Sequence, residues 1–313
     1  MKVAFFGNTK YSVIDARVLH ERFGLVLVVT KPDKPSGRKR VLTANPVKTF
    51  AVANKIPVIE VDSFQTKKGR SFTQNTPGRR TDLDLIDQIK AFEPDFIVVA
   101  DYGVILPKDA LEIPKIAPLN VHQSLLPKYR GTSPAPAAIL AGDKKTGVTI
   151  IKMAEEVDSG DIMAQEEYEM EQTETTDSLL IKLNQLGSQL VCKVIENYDN
   201  LTPKPQNESK ATLTQRMSKQ DGFIDLENPP DTVKLDRMIR AYFPWPGVWA
   251  EIELRSMNNE LRKIKLKFLP NSSPIIHNSK FMILPEGKRP MTPKEFLNGY
   301  PQAKPLLEKL LTP

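Results

Sequence analysis

Three side chains have the types and spacing to act on one reacting centre: Asn120, His122 and Asp158. Asn120 and His122 flank Val121 at the end of an apolar run that begins near Ile116 and stops at a polar turn, the profile of a buried strand reaching its carboxyl end. Side chains alternate across a strand, so the amide and the imidazole share one face and Val121 takes the other. In open parallel sheets, ligands bind at such carboxyl ends. Asp158 opens Asp158-Ser159-Gly160-Asp161, whose small residues let a backbone approach a ligand closely, and Gly131 in Arg130-Gly131-Thr132-Ser133-Pro134 has the same capacity. Acyl transfer to an amine suits this set. Its tetrahedral adduct puts negative charge on oxygen, which an asparagine amide and a protonated imidazole can meet. One such donor is worth about 2.7 to 4 kcal/mol in a well-measured case. A nearby carboxylate takes the proton of the attacking amine, directly or through water, and keeps the histidine charged. The scheme uses neither a metal nor a covalent intermediate.

Each residue alone also has a bland reading: a structurally satisfied strand-end histidine, or an Asp-Ser-Gly turn that is only a turn. Ser124 lies two residues after His122, yet no Gly-x-Ser-x-Gly elbow surrounds it, which argues against a serine nucleophile. His20 and His277 fall in a helix and a polar loop and receive no role. Cys192, the single cysteine, reads as a packed thiol in a long amphipathic stretch and excludes an intrachain disulfide or a multi-cysteine metal site.

The positioning elements follow from periodicity. A strand over 2–7, a helix over 13–23 and a strand over 25–30 open an α/β, doubly wound, Rossmann-like sheet. Gly7 is followed by Asn8-Thr9-Lys10-Tyr11-Ser12, without the three glycines of a dinucleotide fingerprint, so a nicotinamide or flavin cofactor is disfavoured. An exposed loop is expected over 31–40, a helix over 45–53 with Pro46 in its first turn, and a strand over 58–61. A polar, aperiodic surface excursion follows over 63–81, then a helix over 82–92 and a strand over 95–100. A short helix over 107–113 precedes the Asn120 strand. Beyond it come a helix over 133–141, paired strands over 147–153 and 164–170, and a long helix over 176–198. A polar, proline-containing linker over 201–217 then separates a domain at 1–200 from a small β-rich one at 218–313.

At 313 residues two domains are the natural expectation, with 40% hydrophobic and 26% charged residues, as in ordinary soluble proteins. No apolar run reaches the roughly 18 residues of a membrane span, and the opening Met1 to Gly7 reads as a strand rather than a leader, so a cytoplasmic location is expected. The net charge of +6 is unevenly placed. Lys31, Lys34, Arg38, Lys39, Arg40 and Lys48 face only Asp33 in their segment, while Lys67, Lys68, Arg70, Arg79 and Arg80 lie in a segment without an acid. Concentrated positive charge points to a polyanionic partner, against the plain alternative of solvated loops.

Together, Asn120-Val121-His122-Gln123-Ser124-Leu125-Leu126-Pro127, Arg130-Gly131, Gly147-Val148-Thr149 and Asp158-Ser159-Gly160-Asp161 resemble the signature of the folate-dependent formyltransferases. The resemblance implies that Asn120 and His122 stabilise a formyl oxyanion and that Asp158 handles the proton and positions water. It also implies that Ser124, Leu125, Leu126 and Pro127 line a site for the donor 10-formyltetrahydrofolate. Three further stretches resemble the family members that act on initiator methionyl-tRNA: residues 29–38 with Pro46-Val47-Lys48, Ser218-Lys219-Gln220-Asp221-Gly222, and 285–291. By that likeness Lys34, Arg38, Lys39 and Arg40 contact the tRNA acceptor end, a C-terminal OB-like barrel supports the tRNA, and the enzyme works as a monomer without a metal. Two segments depart from the family pattern. Residues 7–12 lack its proline, and Ser133-Pro134-Ala135-Pro136 stands where Ala-Pro-Ile-Gln is usual. Both lie near the aminoacyl end in the family. Two alternatives stay open: an amino sugar nucleotide as acceptor, which the basic loop opposes, and an inactive RNA-binding module, which an intact Asn120, His122 and Asp158 oppose.

Overall fold

The computed structural model describes residues 1–36, 41–64, 85–255, 261–271 and 281–311. Arg38, Lys39 and Arg40, and nearly all of the excursion expected over 63–81, lie outside the described residues. In chain order the elements are β1 (Val3–Gly7), α1 (Ser12–Phe23), β2 (Leu25–Thr30), β3 (Lys34–Ser36), β4 (Val41–Thr43), α2 (Pro46–Ala53), β5 (Val58–Glu60) and α3 (Leu85–Lys90). Next are β6 (Phe96–Ala100), α4 (Lys108–Leu111), β7 (Ala117–His122), β8 (Arg130–Gly131), α5 (Pro134–Ala141), β9 (Lys145–Lys152), β10 (Ile162–Glu169) and α6 (Thr176–Glu196). Then come β11 (Leu213–Thr214), α7 (Thr232–Ala241), β12 (Val248–Arg255), β13 (Leu261–Pro270), β14 (Phe281–Pro285), α8 (Pro293–Gly299) and α9 (Lys304–Leu311).

The chain divides into two compact units, one of Met1–Thr132, Lys145–Glu169 and Leu180–Thr214, the other of Ser133–Lys144, Met170–Leu179 and Gln215–Pro313. The first unit is mixed α/β. Its sheet has the order β10-β9-β7-β6-β1-β2-β5, parallel from β7 through β5, with β9 and β10 added antiparallel. Every residue of β1 and β6 is buried, because strands covered on both faces must be apolar on both. The chain leaves β1 for β2 and β5 on one side and returns to β6 and β7 on the other, so the carboxyl ends of β1 and β6 border the switch point. On one face Phe6, Leu27, Val29 and Ile97 form a core with Leu85 and Ile89 of α3. Burying each of these large side chains contributes about 1.5 to 3 kcal/mol. Asn45 caps α2, its Oδ1 accepting from the Val47 N–H at 2.9 Å with Pro46 at the first helical position.

Two stretches depart from their local sequence reading. The 31–40 loop contains β3, which pairs antiparallel with β4. Residues 201–214 belong to the first unit: Lys204 bridges to Ile162, and β11 pairs in parallel with β8.

The second unit carries the antiparallel sheet β12-β13-β14. Val248, Ala250, Ile252 and Leu254 alternate onto the face that also receives Leu266, Phe268 and Ile283, and Leu235 and Ile239 of α7 pack there with Phe296 and Leu307. Asp231 caps α7 through the Lys234 N–H at 2.8 Å, and Thr292 with Glu295 forms a capping box on α8.

Candidate active site

The site is built where β7 ends. Asn120 pairs with Ile151 and Val99, His122 with Thr149, so neighbouring strands fix the height at which both side chains emerge. Val121, on the opposite face, is buried. Asp158 comes from the loop between β9 and β10. That loop closes on itself through the Lys152 N–H to the Asp161 carbonyl at 2.9 Å, and a β-carbon at Gly160 would run into the Lys152 carbonyl oxygen. The fold brings the three side chains together: Asn120 Nδ2 donates to Asp158 Oδ1 at 3.2 Å, and His122 Nδ1 lies 3.6 Å from Asp158 Oδ2. The Gly131 N–H donates to the same Oδ2 at 2.8 Å.

The histidine's tautomer follows from its other nitrogen. Nε2 sits 2.9 Å from the Tyr129 carbonyl oxygen. A carbonyl only accepts, so Nε2 carries a hydrogen and donates it. Nδ1 is therefore the ring atom that faces Asp158, and it carries a proton only as imidazolium. This makes the Tyr129 backbone part of the site, which spacing in the sequence does not reveal.

Ser124 to Pro127 form the turn that leaves β7. The Ser124 hydroxyl is fully buried and donates to the Lys128 carbonyl at 2.6 Å. Thr149 Oγ1 donates to the Ser124 carbonyl at 2.7 Å and accepts from the Leu126 N–H at 3.1 Å and from Gln165 Nε2 at 2.8 Å. The hydrogen-bonding groups of Ser124 and Leu126 are thus engaged within the fold. Lys34 lies on β3, its Nζ 3.4 Å from Asp62.

Toward the switch point, Asp101 adopts a left-handed backbone with φ of 47° and accepts from Thr9 Oγ1 at 3.3 Å. Burial pushes its carboxyl up to about 6, against the opposing hydrogen bonds of Thr9, Asn184 and Gln123 and the charge of His122. Burial, reinforced by Asp101, raises Asp15 well above the ordinary carboxylate range. Burial likewise pushes the Cys192 thiol up to about 11, consistent with an inert packed side chain. Among the described residues no group of three or more His, Cys, Asp and Glu could hold a metal ion, and no helix is long and apolar enough to cross a membrane.

Comparison with known proteins adds an independent line. Residues 1–195 match the family described as Formyl transferase. A methionyl-tRNA formyltransferase of Caldicellulosiruptor saccharolyticus is 33% identical across 96% of this chain and 97% of its own length. One from Chloroflexus aggregans is 38% identical across 80% of this chain and 76% of its own. Among solved structures, a methionyl-tRNA formyltransferase from Clostridium thermocellum superposes with a TM-score of 0.56 at 15% identity, covering 93% of this chain and 99% of that one. A sugar N-formyltransferase from Shewanella superposes with a TM-score of 0.57 at 17% identity, covering 84% and 95%. At these identities the two structures speak to the fold alone.

Proposed function

The chain belongs to the formyl transferase family, and from that premise we propose that it transfers the formyl group of 10-formyltetrahydrofolate to the amino group of initiator methionyl-tRNA. The observation that carries the chemistry is the convergence of Asn120 and His122 on the two oxygens of Asp158. As the methionyl amine adds to the formyl carbon, the second N–H of Asn120 and the Nδ1–H of the imidazolium meet the developing oxyanion. Asp158, anchored by the Gly131 N–H, accepts the proton the amine must lose, directly or through one water. Collapse of the adduct breaks the bond from the formyl carbon to the folate nitrogen, which takes up the proton held by Asp158, so the folate leaves as a neutral amine and the carboxylate is restored without a covalent enzyme intermediate or a metal. The Ser124 to Pro127 turn serves the donor by shape, since the hydrogen-bonding groups of Ser124 and Leu126 are engaged within the fold.

For the acceptor, the Caldicellulosiruptor relative named methionyl-tRNA formyltransferase, matched over 97% of its length, and the basic run Lys34, Arg38, Lys39 and Arg40 favour tRNA. Phosphate contacts supply salt-sensitive affinity there. Residues 218–313 act as a C-terminal, OB-like domain supporting the tRNA, and one chain is the working unit. The second reading, an amino sugar nucleotide as acceptor, draws on the fold likeness to the Shewanella enzyme. Formylation of charged initiator tRNA by purified protein, with Asn120→Ala and Asp158→Ala, tests the assignment. Both variants should lose at least about a hundredfold in kcat, in line with general acid–base and oxyanion contributions, while tRNA affinity holds. Turnover near wild type in Asp158→Ala would remove that residue from the mechanism.

A further inference from the structure

Residues 204–214, polar and proline-containing in sequence, form one edge of the site. Gln206 Nε2 donates to the Asp158 carbonyl oxygen at 2.7 Å and to the Gly160 carbonyl oxygen at 2.8 Å. Its Oε1 accepts from Arg130 Nε at 3.0 Å and Nη2 at 2.8 Å. Chemistry fixes this amide's orientation, because a guanidinium offers only donors and a carbonyl only acceptors. Arg130 is itself buried and makes a two-pronged contact with Glu208, Nη1 at 2.9 Å and Nη2 at 2.7 Å. Each of the two shifts the other toward its charged form: the Glu208 hydrogen bond holds Arg130 protonated, and Arg130 pulls the Glu208 carboxyl down.

Arg130 is followed by Gly131, whose N–H holds the Asp158 carboxylate. The backbone and the side chain of Asp158 are therefore anchored by one assembly: Gln206 takes the carbonyl, Gly131 takes Oδ2, and Arg130 ties the two anchors together. Support is needed there. Asp158 has a φ of 52°, a left-handed conformation that a residue with a β-carbon keeps only when its surroundings enforce it.

We propose that Gln206 is a positioning residue for Asp158. It pins the left-handed backbone at 158 so that the carboxylate stays within reach of Asn120 and His122. The proposal rests on the reading of Asp158 as proton acceptor. With Gln206 removed, two carbonyls turn to water and the loop samples conformers in which the carboxylate is displaced. Only the fraction with Asp158 in place turns over, while substrate contacts elsewhere persist, so kcat falls and KM does not.

The test is steady-state formylation by wild type, Gln206→Ala, Gln206→Glu, Asp158→Ala and the Gln206→Ala/Asp158→Ala double variant, with the melting temperature of each. Gln206→Met, of similar volume, stands in if alanine lowers the melting temperature below the assay temperature. Gln206→Ala should lower kcat about tenfold, the scale of a lost neutral hydrogen bond or two, with KM for both substrates within about twofold. Gln206→Glu keeps an oxygen toward Arg130 but turns a carboxylate oxygen on two carbonyls, and should fall further. Because Gln206 acts through Asp158, the double variant should be no slower than Asp158→Ala alone. A wild-type kcat in Gln206→Ala, or a Gln206→Ala loss that multiplies onto an impaired Asp158→Ala, overturns the proposal. Near wild-type turnover in Asp158→Ala would instead overturn the reading beneath it.

Discussion

Replacing Thr149 by valine isolates a single oxygen. Thr149 is fully buried on β9, and its Oγ1 serves three groups: the Ser124 carbonyl at 2.7 Å, the Leu126 N–H at 3.1 Å and Gln165 Nε2 at 2.8 Å. Valine keeps the shape and deletes the hydroxyl. Gln165 retains the Leu126 carbonyl at 3.0 Å, whereas the Ser124 carbonyl and the Leu126 N–H each lose a short bond in a dry turn. An orphaned buried polar group costs about 1 to 3 kcal/mol, and two adjacent ones that relax together should cost about 2 to 4 kcal/mol. At about 2 to 4 °C per kcal/mol for a unit of this size, the melting temperature should fall by about 4 to 16 °C. Urea unfolding and calorimetry on wild type, Thr149→Val and Thr149→Ser provide the measurement. Serine keeps the oxygen and loses one buried methyl, worth about 1 kcal/mol, and should be the milder change. A valine variant within about 2 °C of wild type, given the same conversion, or a serine variant worse than valine, would refute the reasoning. It would place the contribution of Thr149 in its methyl group.

Three further outcomes follow. Gly131 has a φ of 108°, and a β-carbon there would meet the Thr214 carbonyl oxygen at 2.6 Å, so Gly131→Ala should cost about 1 to 3 kcal/mol of strain and lower kcat by displacing the N–H that holds Asp158; wild-type kcat and melting temperature would contradict this. Asp101, raised to about 6 by burial, binds its proton more tightly folded than unfolded, where carboxylates titrate near 3.9. Its contribution to stability is present below about pH 4, is lost as pH rises to about 6, and is level above that. The stability difference between wild type and Asp101→Asn, from denaturant titrations between pH 4 and 7, should fall through that window; a flat difference would contradict the account. Replacing Arg38, Lys39 and Arg40 together by glutamine should weaken tRNA binding and reduce the slope of log affinity against log salt by about 1 for each phosphate no longer neutralised, whereas an unchanged slope would make the segment a solvated bystander.

What can be read in the sequence is whatever is locally periodic or locally capped. The β2 and α2 boundaries follow from an apolar run and an Asn-Pro cap, and both lie where the pattern puts them. The alternation at Asn120, Val121 and His122 is enough to give the shared face. What escapes is set by partners distant in the chain. Gln206 and Glu208 sit in a stretch whose composition says only linker, and their role exists because Arg130, more than seventy residues earlier, lies beside them. The proton on His122 Nε2 is fixed by a backbone carbonyl, which no residue type can announce. The short β3 and β4 strands escape for a related reason, since proline, glycine and charge read as loop until the two strands pair. The strand β14 and the helices α8 and α9 fill the core of the second unit with Ile283, Phe296 and Leu307; of these only α9 carries a helical apolar spacing, at Leu306, Leu307 and Leu310.

The proposed transfer at this site runs from 10-formyltetrahydrofolate to methionyl-tRNA. The most direct measurement is a side-by-side single-turnover transfer of labelled formyl from that donor to charged initiator tRNA and to an amino sugar nucleotide, at matched acceptor concentrations. The expected result is label on the methionyl amine, appearing at least about a hundredfold more slowly with Asp158→Ala, with the sugar nucleotide left unlabelled. Label on the sugar nucleotide and none on the tRNA would contradict it.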